Sequence, residues 1–66
     1  MNIQLNGEPK PLNEPCSVAK LLSELSLADK RVAVEINGEI VPRSQQASRL
    51  LAADDRVEVV VAVGGG

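Results

Sequence analysis

Apolar and polar residues alternate at the start of the chain. Ile3 and Leu5 each lie between polar neighbours, which is the period of a half-buried strand. An Asn-Gly pair follows, and this pair supplies the positive φ angles of a tight hairpin turn. The return strand is predicted over residues 8–13, with Leu12 in the core. It contains two prolines, which cannot donate to a ladder, so we expect it at an edge of the sheet.

A helical period replaces this alternation after residue 15. Ser17 is a good N-cap, because its hydroxyl can accept from the free backbone N–H groups of the first turn. Four apolar residues then recur at helical spacing and predict one buried stripe: Val18, Leu21, Leu22 and Leu25. Cys16 precedes the cap, and we expect it to pack there. A reactive thiol would need a nearby cation, for which Lys20 is the local candidate.

Strand patterns return in the second half of the chain. Residues 32–36 alternate, with their first, third and fifth side chains directed inward. A second Asn-Gly pair then predicts a hairpin with a short strand over residues 39–41. Residues 44–51 are expected to form a turn or a short helix that packs both Leu50 and Leu51 against the core.

The most apolar stretch of the chain comes last. We predict a strand from Arg56 to Val63, preceded by a turn at Asp54-Asp55. One face of this strand would carry Val57, Val59, Val61 and Val63, and the other face Glu58, Val60 and Ala62. A strand that is apolar on both faces belongs near the middle of its sheet. We therefore place it beside the first strand.

These elements run in the order strand, strand, helix, strand, strand, turn or short helix, strand. Two hairpins flank one helix, which packs over the valine face of the last strand. The order predicts an α+β fold of β-grasp (ubiquitin-like) type, a mixed sheet of about five strands with one main helix on one face. The expected organisation is a β-grasp domain over residues 1–63 and a flexible C-terminal glycine tail over residues 64–66.

Composition excludes several classes of function. The 66 residues include no His, no aromatic residue and one Cys, so no catalytic triad, thiol–imidazole pair or intrachain disulfide can form. The sequence shows no zinc-ligand cluster and no phosphate-cradling glycine loop, and Asp54-Asp55 is more typical of a turn than of a catalytic pair. We therefore expect a protein that is not itself an enzyme and that binds no metal or cofactor of its own.

The sequence also argues against membrane and nucleic-acid partners. No apolar run approaches about 20 residues, and no signal peptide is visible, so we expect a soluble, cytoplasmic protein. The formal net charge is −2 and the basic residues are scattered along the chain. Nucleic-acid binding usually needs a basic stripe, often with stacking aromatics, so it is not expected here.

The strongest candidate for a functional site is the tail, Gly64, Gly65 and Gly66. Glycine has no side chain, so such a tail can enter a channel that a bulkier tail cannot. Its tip is the α-carboxylate of Gly66, which is ionised at neutral pH. Attack of this carboxylate on the α-phosphate of ATP, held by a partner enzyme, would give an acyl adenylate that a sulfur nucleophile can attack. The folded domain would then be the part that the partner enzyme holds, and the tail would be the substrate.

The chain resembles the ThiS family of sulfur carrier proteins of thiamin biosynthesis. The terminal Gly65-Gly66 after an apolar strand, the element order and the length carry this resemblance. Residues 34–43 contain Ile40-Val41-Pro42-Arg43 and are similar to the family's N-x-x-I-V-P-R pattern, and residues 55–60 are similar to the start of its last strand. The family often has Asp-Gly-Asp before this strand, whereas this chain has Ala53-Asp54-Asp55.

The resemblance implies a specific chemistry. Gly66 would be adenylated by an E1-like enzyme of the ThiF type that uses ATP, and then converted to a thiocarboxylate with sulfur from a donor enzyme. It would deliver that sulfur to a thiazole synthase of the ThiG type. Gly65 would be the residue without a side chain next to it, and Gly64 would add length and conformational freedom to the tail.

A docking surface and two other functions are further hypotheses. Val60 and Ala62 are expected on the sheet face away from the helix, where they are candidates for partner binding, although valine is also simply a good strand former. The first other function is a β-grasp carrier of another pathway, such as the small subunit of molybdopterin synthase, or a carrier that doubles as a protein modifier. The second is a plain protein-interaction module whose glycine tail is incidental.

Overall fold

A computed structural model describes residues 1–12 and 15–62. Within these residues the chain forms five β-strands, one α-helix and one 3-10 helix. The elements are β1 (Asn2–Leu5), β2 (Glu8–Pro11), α1 (Val18–Glu24), β3 (Val32–Ile36), β4 (Glu39–Ile40), the 3-10 helix (Arg43–Gln45) and β5 (Arg56–Val61). The predicted strand ends at Asn13 and Val63, and the domain boundary before residue 64, lie outside the described residues.

The five strands form a mixed sheet in the order β2-β1-β5-β3-β4. β5 lies at its centre, parallel to β1 and antiparallel to β3, which confirms the predicted place of the last strand beside the first. β2 lies at one edge and pairs with β1, as its two prolines predict, because the outer side of an edge strand needs no ladder donors. The architecture is the predicted α+β arrangement.

Helix α1 covers one face of the sheet through the predicted apolar stripe. Three of the four stripe residues are buried, and Leu25, just beyond the helix end, is half-buried. Ser17 caps the helix as predicted, since the backbone N–H of Lys20 donates to its Oγ at 3.1 Å. The buried cluster between helix and sheet is aliphatic apart from one cysteine: Ile3, Leu12, Cys16, Val18, Leu21, Leu22, Val34, Ile36, Val41, Leu51, Val57 and Val59.

Two positions expected in the core are exposed. Leu50 is 60% exposed and Leu51 is 5% exposed, so the prediction that both pack inward is wrong for Leu50. The chain is extended here, because Leu50 forms a β-bridge with Ser17 and the Leu51 N–H donates to Cys16 O at 2.9 Å. Neighbouring side chains of an extended chain point to opposite sides, so one leucine faces the core and the other faces solvent. Val61, also expected to face inward, is 39% exposed, since the buried cluster does not reach the end of β5.

Both Asn-Gly pairs form the predicted tight turns. Asn6 and Gly7 have φ angles of 50° and 83°, and Asn37 and Gly38 have φ angles of 53° and 86°. Two successive positive φ angles suit the right-handed twist of the strands that the turn joins. The turns therefore set the pairing of β1 with β2 and of β3 with β4.

Asp54 adopts a left-handed conformation that glycine takes more easily. Its φ angle is 68°. The variant Asp54→Gly is expected to raise the free energy of unfolding by about 0.5–1 kcal/mol, because removal of the Cβ relieves more strain than the added chain entropy costs. In thermal melting this is a rise in Tm of about 4 °C. Asp54→Ala is the matched control and should lower Tm; a Tm below wild type for the glycine variant would contradict a strained turn.

Candidate functional site

The predicted tail site, Gly64 to Gly66, lies outside the described residues, but the structure shows how the chain leads towards it. β5 ends at Val61, and the N–H of the next residue, Ala62, donates to Arg31 O at 2.9 Å. This bond continues the register between β3 and β5 by one residue. Backbone hydrogen bonds therefore hold the chain beside β3 as far as Ala62, which is four residues before the last glycine of the chain.

Side chains from both hairpin turns anchor β5. The Val59 N–H donates to Asn6 Oδ1 at 2.8 Å, and Asn6 Nδ2 donates back to Val59 O at 3.3 Å. From the other turn, Asn37 Oδ1 accepts from the Arg56 N–H at 2.9 Å, and Asn37 Nδ2 donates to Asp55 Oδ1 at 3.0 Å. The strand that precedes the tail is thus fixed by side chains as well as by its ladders.

Asp55 has a structural role in this network. It is 8% exposed, and its carboxylate accepts from the Ala52 N–H at 2.8 Å as well as from Asn37. Two hydrogen-bond donors offset the free-energy cost of removing this carboxylate from water. The Asp54-Asp55 pair therefore belongs to the turn before β5, in agreement with the sequence interpretation.

The sheet face opposite α1 carries an exposed apolar patch. Val60 is 61% exposed and lies directly opposite Ala33 on β3. Ile40 is 63% exposed and lies opposite Glu35, on the same face as Ala33. Ala62 is exposed and follows Val60 by two residues, which places it on the same side of the extended chain. We call Ala33, Ile40, Val60 and Ala62 the open-face patch; it confirms the predicted orientation of Val60 and Ala62, while their partner binding stays a prediction.

Two carboxylates lie on this same face. Glu35 on β3 is paired directly with Glu58 on β5. Each glutamate is two residues from a member of the open-face patch on its own strand and therefore lies on the same face. Like charges that face each other across strands repel. The open face therefore combines apolar surface with negative charge.

Other chemistry among the described residues is limited. Cys16 is 3% exposed and its Sγ donates to Ser17 O at 3.3 Å, which agrees with the predicted packing role. Within residues 1–12 and 15–62, no group of three or more His, Cys, Asp and Glu side chains is arranged to hold a metal ion. In that same part of the chain, no helix has the length and apolar character that a membrane crossing needs.

Comparison with known proteins identifies the family. The sequence profile of the ThiS family matches residues 3–66. The chain belongs to the ThiS family. Its fold agrees with that of a family member, because the crystal structure of the thiamine biosynthesis protein ThiS from Geobacter metallireducens is similar with a TM-score of 0.84 and 36% identity, over 100% of both chains. The predicted β-grasp fold is thereby confirmed.

The chain is similar to proteins of two different lengths. The uncharacterized protein ycf40 of Porphyra purpurea is 39% identical over 66 residues, which are 100% of this chain and 93% of that protein. The thiazole synthase of Paramagnetospirillum magneticum is also 39% identical over 66 residues, but these make up 20% of that protein. A ThiS-like sequence therefore occurs both as nearly a whole protein and as a small part of a larger one.

Two features of the surface were not predicted from the sequence. One is the exposure of Ile40, for which the alternation with the buried Val41 was an available signal. The other is a basic cleft on the α1 side, lined in part by Lys30, Arg31 and Arg43. Its residues come from two separate segments of the chain, and no local pattern connects them.

Proposed function

We propose that this member of the ThiS family is a sulfur carrier whose C-terminal Gly66 is adenylated, converted to a thiocarboxylate and used as the sulfur source of a thiazole synthase. The observation that carries the proposal is the family match, which extends through residue 66 and so includes the terminal glycines. The anchoring of β5 supports it, because it holds the chain in place as far as Ala62, close in sequence to the terminal glycines. On this account the chain is a protein substrate, and its partners are the enzymes.

The chemistry begins at the α-carboxylate of Gly66. One carboxylate oxygen attacks the α-phosphorus of ATP and pyrophosphate leaves, so the carboxyl group becomes an acyl adenylate. Hydrosulfide (HS⁻) supplied by a donor enzyme then attacks the carbonyl carbon, AMP leaves with the former carboxylate oxygen, and loss of the S–H proton leaves the thiocarboxylate. ATP would be held by an E1-like adenylating enzyme of the ThiF type, and this chain would bind no cofactor itself.

The enzyme that accepts the sulfur is proposed from the relatives. Two thiazole synthases, from Paramagnetospirillum magneticum and Magnetococcus marinus, each contain a segment similar to this whole chain. Linking two modules that must meet raises their effective concentration, so a joined carrier and acceptor are a reasonable pair. The similarity supports a thiazole synthase of the ThiG type as the partner of this chain.

Isotope exchange between pyrophosphate and ATP tests the first step. With a ThiF-type enzyme, Mg²⁺, ATP and labelled pyrophosphate, we expect label to enter ATP only when this chain is present, because acyl-adenylate formation is reversible. The control is the same enzyme with the carrier from its own organism. Exchange with that carrier and none with this chain would contradict the proposal.

The open-face patch is proposed as the surface that docks on the adenylating enzyme. Val60→Asp is expected to raise the KM for the carrier about tenfold, equivalent to about 1.4 kcal/mol of binding, because it places a charge in an apolar contact. The fold should persist, since Val60 is 61% exposed in the wild-type chain. Steady-state adenylation at varied carrier concentration measures the change.

Leu50→Asp is the matched control for this test. Leu50 is 60% exposed and lies in the segment that bridges to Ser17 beside α1, so the same charge is added at equal exposure outside the open-face patch. We expect its KM to equal that of wild type. A folded Val60→Asp chain with wild-type kinetics would exclude this surface from docking.

A further inference from the structure

A cleft of about 220 Å³ lies on the α1 side of the molecule. It is lined by residues from α1, the loop after it, the start of β3 and the region of the 3-10 helix: Leu22, Ala28, Lys30, Arg31, Val32, Arg43 and Gln46. Leu22 is buried and Val32 half-buried, whereas Lys30, Arg31 and Arg43 are exposed. The cleft therefore has an apolar base and basic groups that reach solvent.

Backbone hydrogen bonds hold the two sides of the cleft in place. At the end of α1, Ser26 has a φ angle of 62°, and the Leu27 N–H donates to Leu22 O at 2.8 Å, which closes the helix and directs the chain towards Lys30. On the other side, the Ala19 N–H donates to Gln46 O at 2.9 Å and ties the 3-10 region to α1. The cleft is thus part of the folded body.

Charge is distributed unevenly around this cleft. Three of the seven Lys and Arg residues of the chain line it, and no acidic residue is among the described residues that do, although the chain carries a net charge of −2. Asp29 is exposed and adjacent in sequence to Lys30, but it is not part of the lining. A concentration of positive charge on an acidic protein favours an anionic partner at this place.

Size restricts which anion fits. Pockets for drug-sized ligands measure about 300–1,000 Å³, so a cleft of about 220 Å³ is small for a nucleotide. It accommodates one or two oxyanion groups, such as side-chain carboxylates. Arginine recognises a carboxylate with two parallel hydrogen bonds, and the cleft offers two arginines.

The position of the cleft connects it with the tail. Arg31 is one of the residues that line the cleft, and its backbone oxygen accepts the N–H of Ala62, the last described residue before the tail. A protein that takes up the tail must therefore approach this end of the sheet. We infer that the basic cleft binds a carboxylate-bearing segment of the enzyme that adenylates Gly66, which makes acidic residues of that enzyme the complement of Lys30, Arg31 and Arg43. This inference rests on the proposed function.

A charge-neutralising double variant tests it. Arg31→Gln with Arg43→Gln is expected to weaken the Kd for the adenylating enzyme about fivefold to tenfold and to flatten its dependence on salt, because two exposed contacts to carboxylates are lost. The matched control is Lys10→Gln with Arg49→Gln, which changes the net charge equally, from −2 to −4, outside the cleft. Calorimetric titration at low and high salt measures binding, and the maximal rate of adenylation at saturating carrier is expected to stay at the wild-type value.

Carbodiimide coupling identifies the partner groups directly. This reagent joins an amine to a carboxylate that contacts it, so the complex is expected to yield a peptide in which Lys30 is linked to an Asp or Glu of the enzyme. Coupling through Lys10 without Lys30 would overturn the inference. Saturation of the Arg31 and Arg43 amide shifts by inorganic phosphate below one millimolar, in the free chain, would also overturn it and assign a small-anion site.

Separate measurements of binding and of adenylation distinguish a failure of the proposed function from a failure of the cleft inference. If wild type binds the enzyme but is never adenylated, the proposed function fails, and the comparison of Kd values still decides the cleft. If wild type is adenylated and the two double variants bind equally well, the cleft inference fails and the carrier function stands. An absence of any binding by wild type would contradict both.

Discussion

A chain that lacks Gly65 and Gly66 is expected to fold normally and to accept no adenylate. The fold should persist because β5 ends at Val61 and, among the described residues, the buried cluster contains none beyond Val59. The chemistry should be lost because the terminal carboxylate moves back along the chain by two residues, which is up to about 7 Å. An active site that holds ATP and carboxylate in reacting geometry does not tolerate such a displacement. Thermal melting and ATP–pyrophosphate exchange measure the two parts of this prediction.

The position of the carboxylate can be separated from the presence of the glycines. A chain extended by one alanine after Gly66 keeps all three glycines but moves the carboxylate outward by about 3.5 Å. We expect this variant to be folded and inactive as well. Wild-type exchange rates in the truncated chain, or growth of a thiamin-requiring strain that relies on it, would instead favour an interaction module with an incidental tail.

Asn37→Asp is expected to destabilise the fold more than any other single change considered above. Asn37 Nδ2 donates to Asp55 Oδ1 at 3.0 Å, so the variant loses a hydrogen bond to a charged group and places a second carboxylate against a buried one. Together these effects amount to a loss on the order of 3 kcal/mol, against a total free energy of unfolding of roughly 3–10 kcal/mol for a domain of this size. Urea unfolding followed by circular dichroism measures the difference.

Asn6→Asp is the matched control for that change. Asn6 occupies the equivalent place in the first Asn-Gly turn, with a φ angle of 50° against 53° for Asn37. Its Oδ1 accepts from the Val59 N–H and its Nδ2 makes a longer bond of 3.3 Å to Val59 O, so the aspartate keeps the better bond and meets no carboxylate there. We expect a loss of about 1 kcal/mol. Equal losses in the two variants would exclude repulsion with Asp55 as the cause.

Much of the fold follows from local patterns in the sequence. The alternation around Ile3 and Leu5, the prolines of β2 and the apolar character of both faces of β5 place three strands in their observed order. The two Asn-Gly turns and the Ser17 cap are local chemistry and are equally visible. The pattern fails at Leu50 and Leu51, because two adjacent leucines suit a helix and an extended segment equally well. Only the pairing of that segment with Ser17, which is distant in sequence, decides which leucine is buried.

Some features of the candidate site could likewise be predicted from the sequence, and others could not. Alternation along β5 predicts that Val60 faces away from the helix, and the structure agrees. The basic cleft could not be predicted, because Lys30, Arg31 and Arg43 line one cleft only after α1, β3 and the 3-10 helix have packed together. The terminal glycines are a sequence signal of their own, and their proposed chemistry depends on a partner enzyme and not on a pocket in this chain.

Intact mass spectrometry of the chain, purified from cells that synthesise thiamin, tests the central claim most directly. The account predicts a fraction whose mass is increased by one exchange of oxygen for sulfur, with the change located by fragmentation at the carboxyl group of Gly66. The fraction should rise when the adenylating enzyme, ATP and a sulfur donor are added. A C-terminus that remains an ordinary carboxylate after these additions would contradict the carrier function.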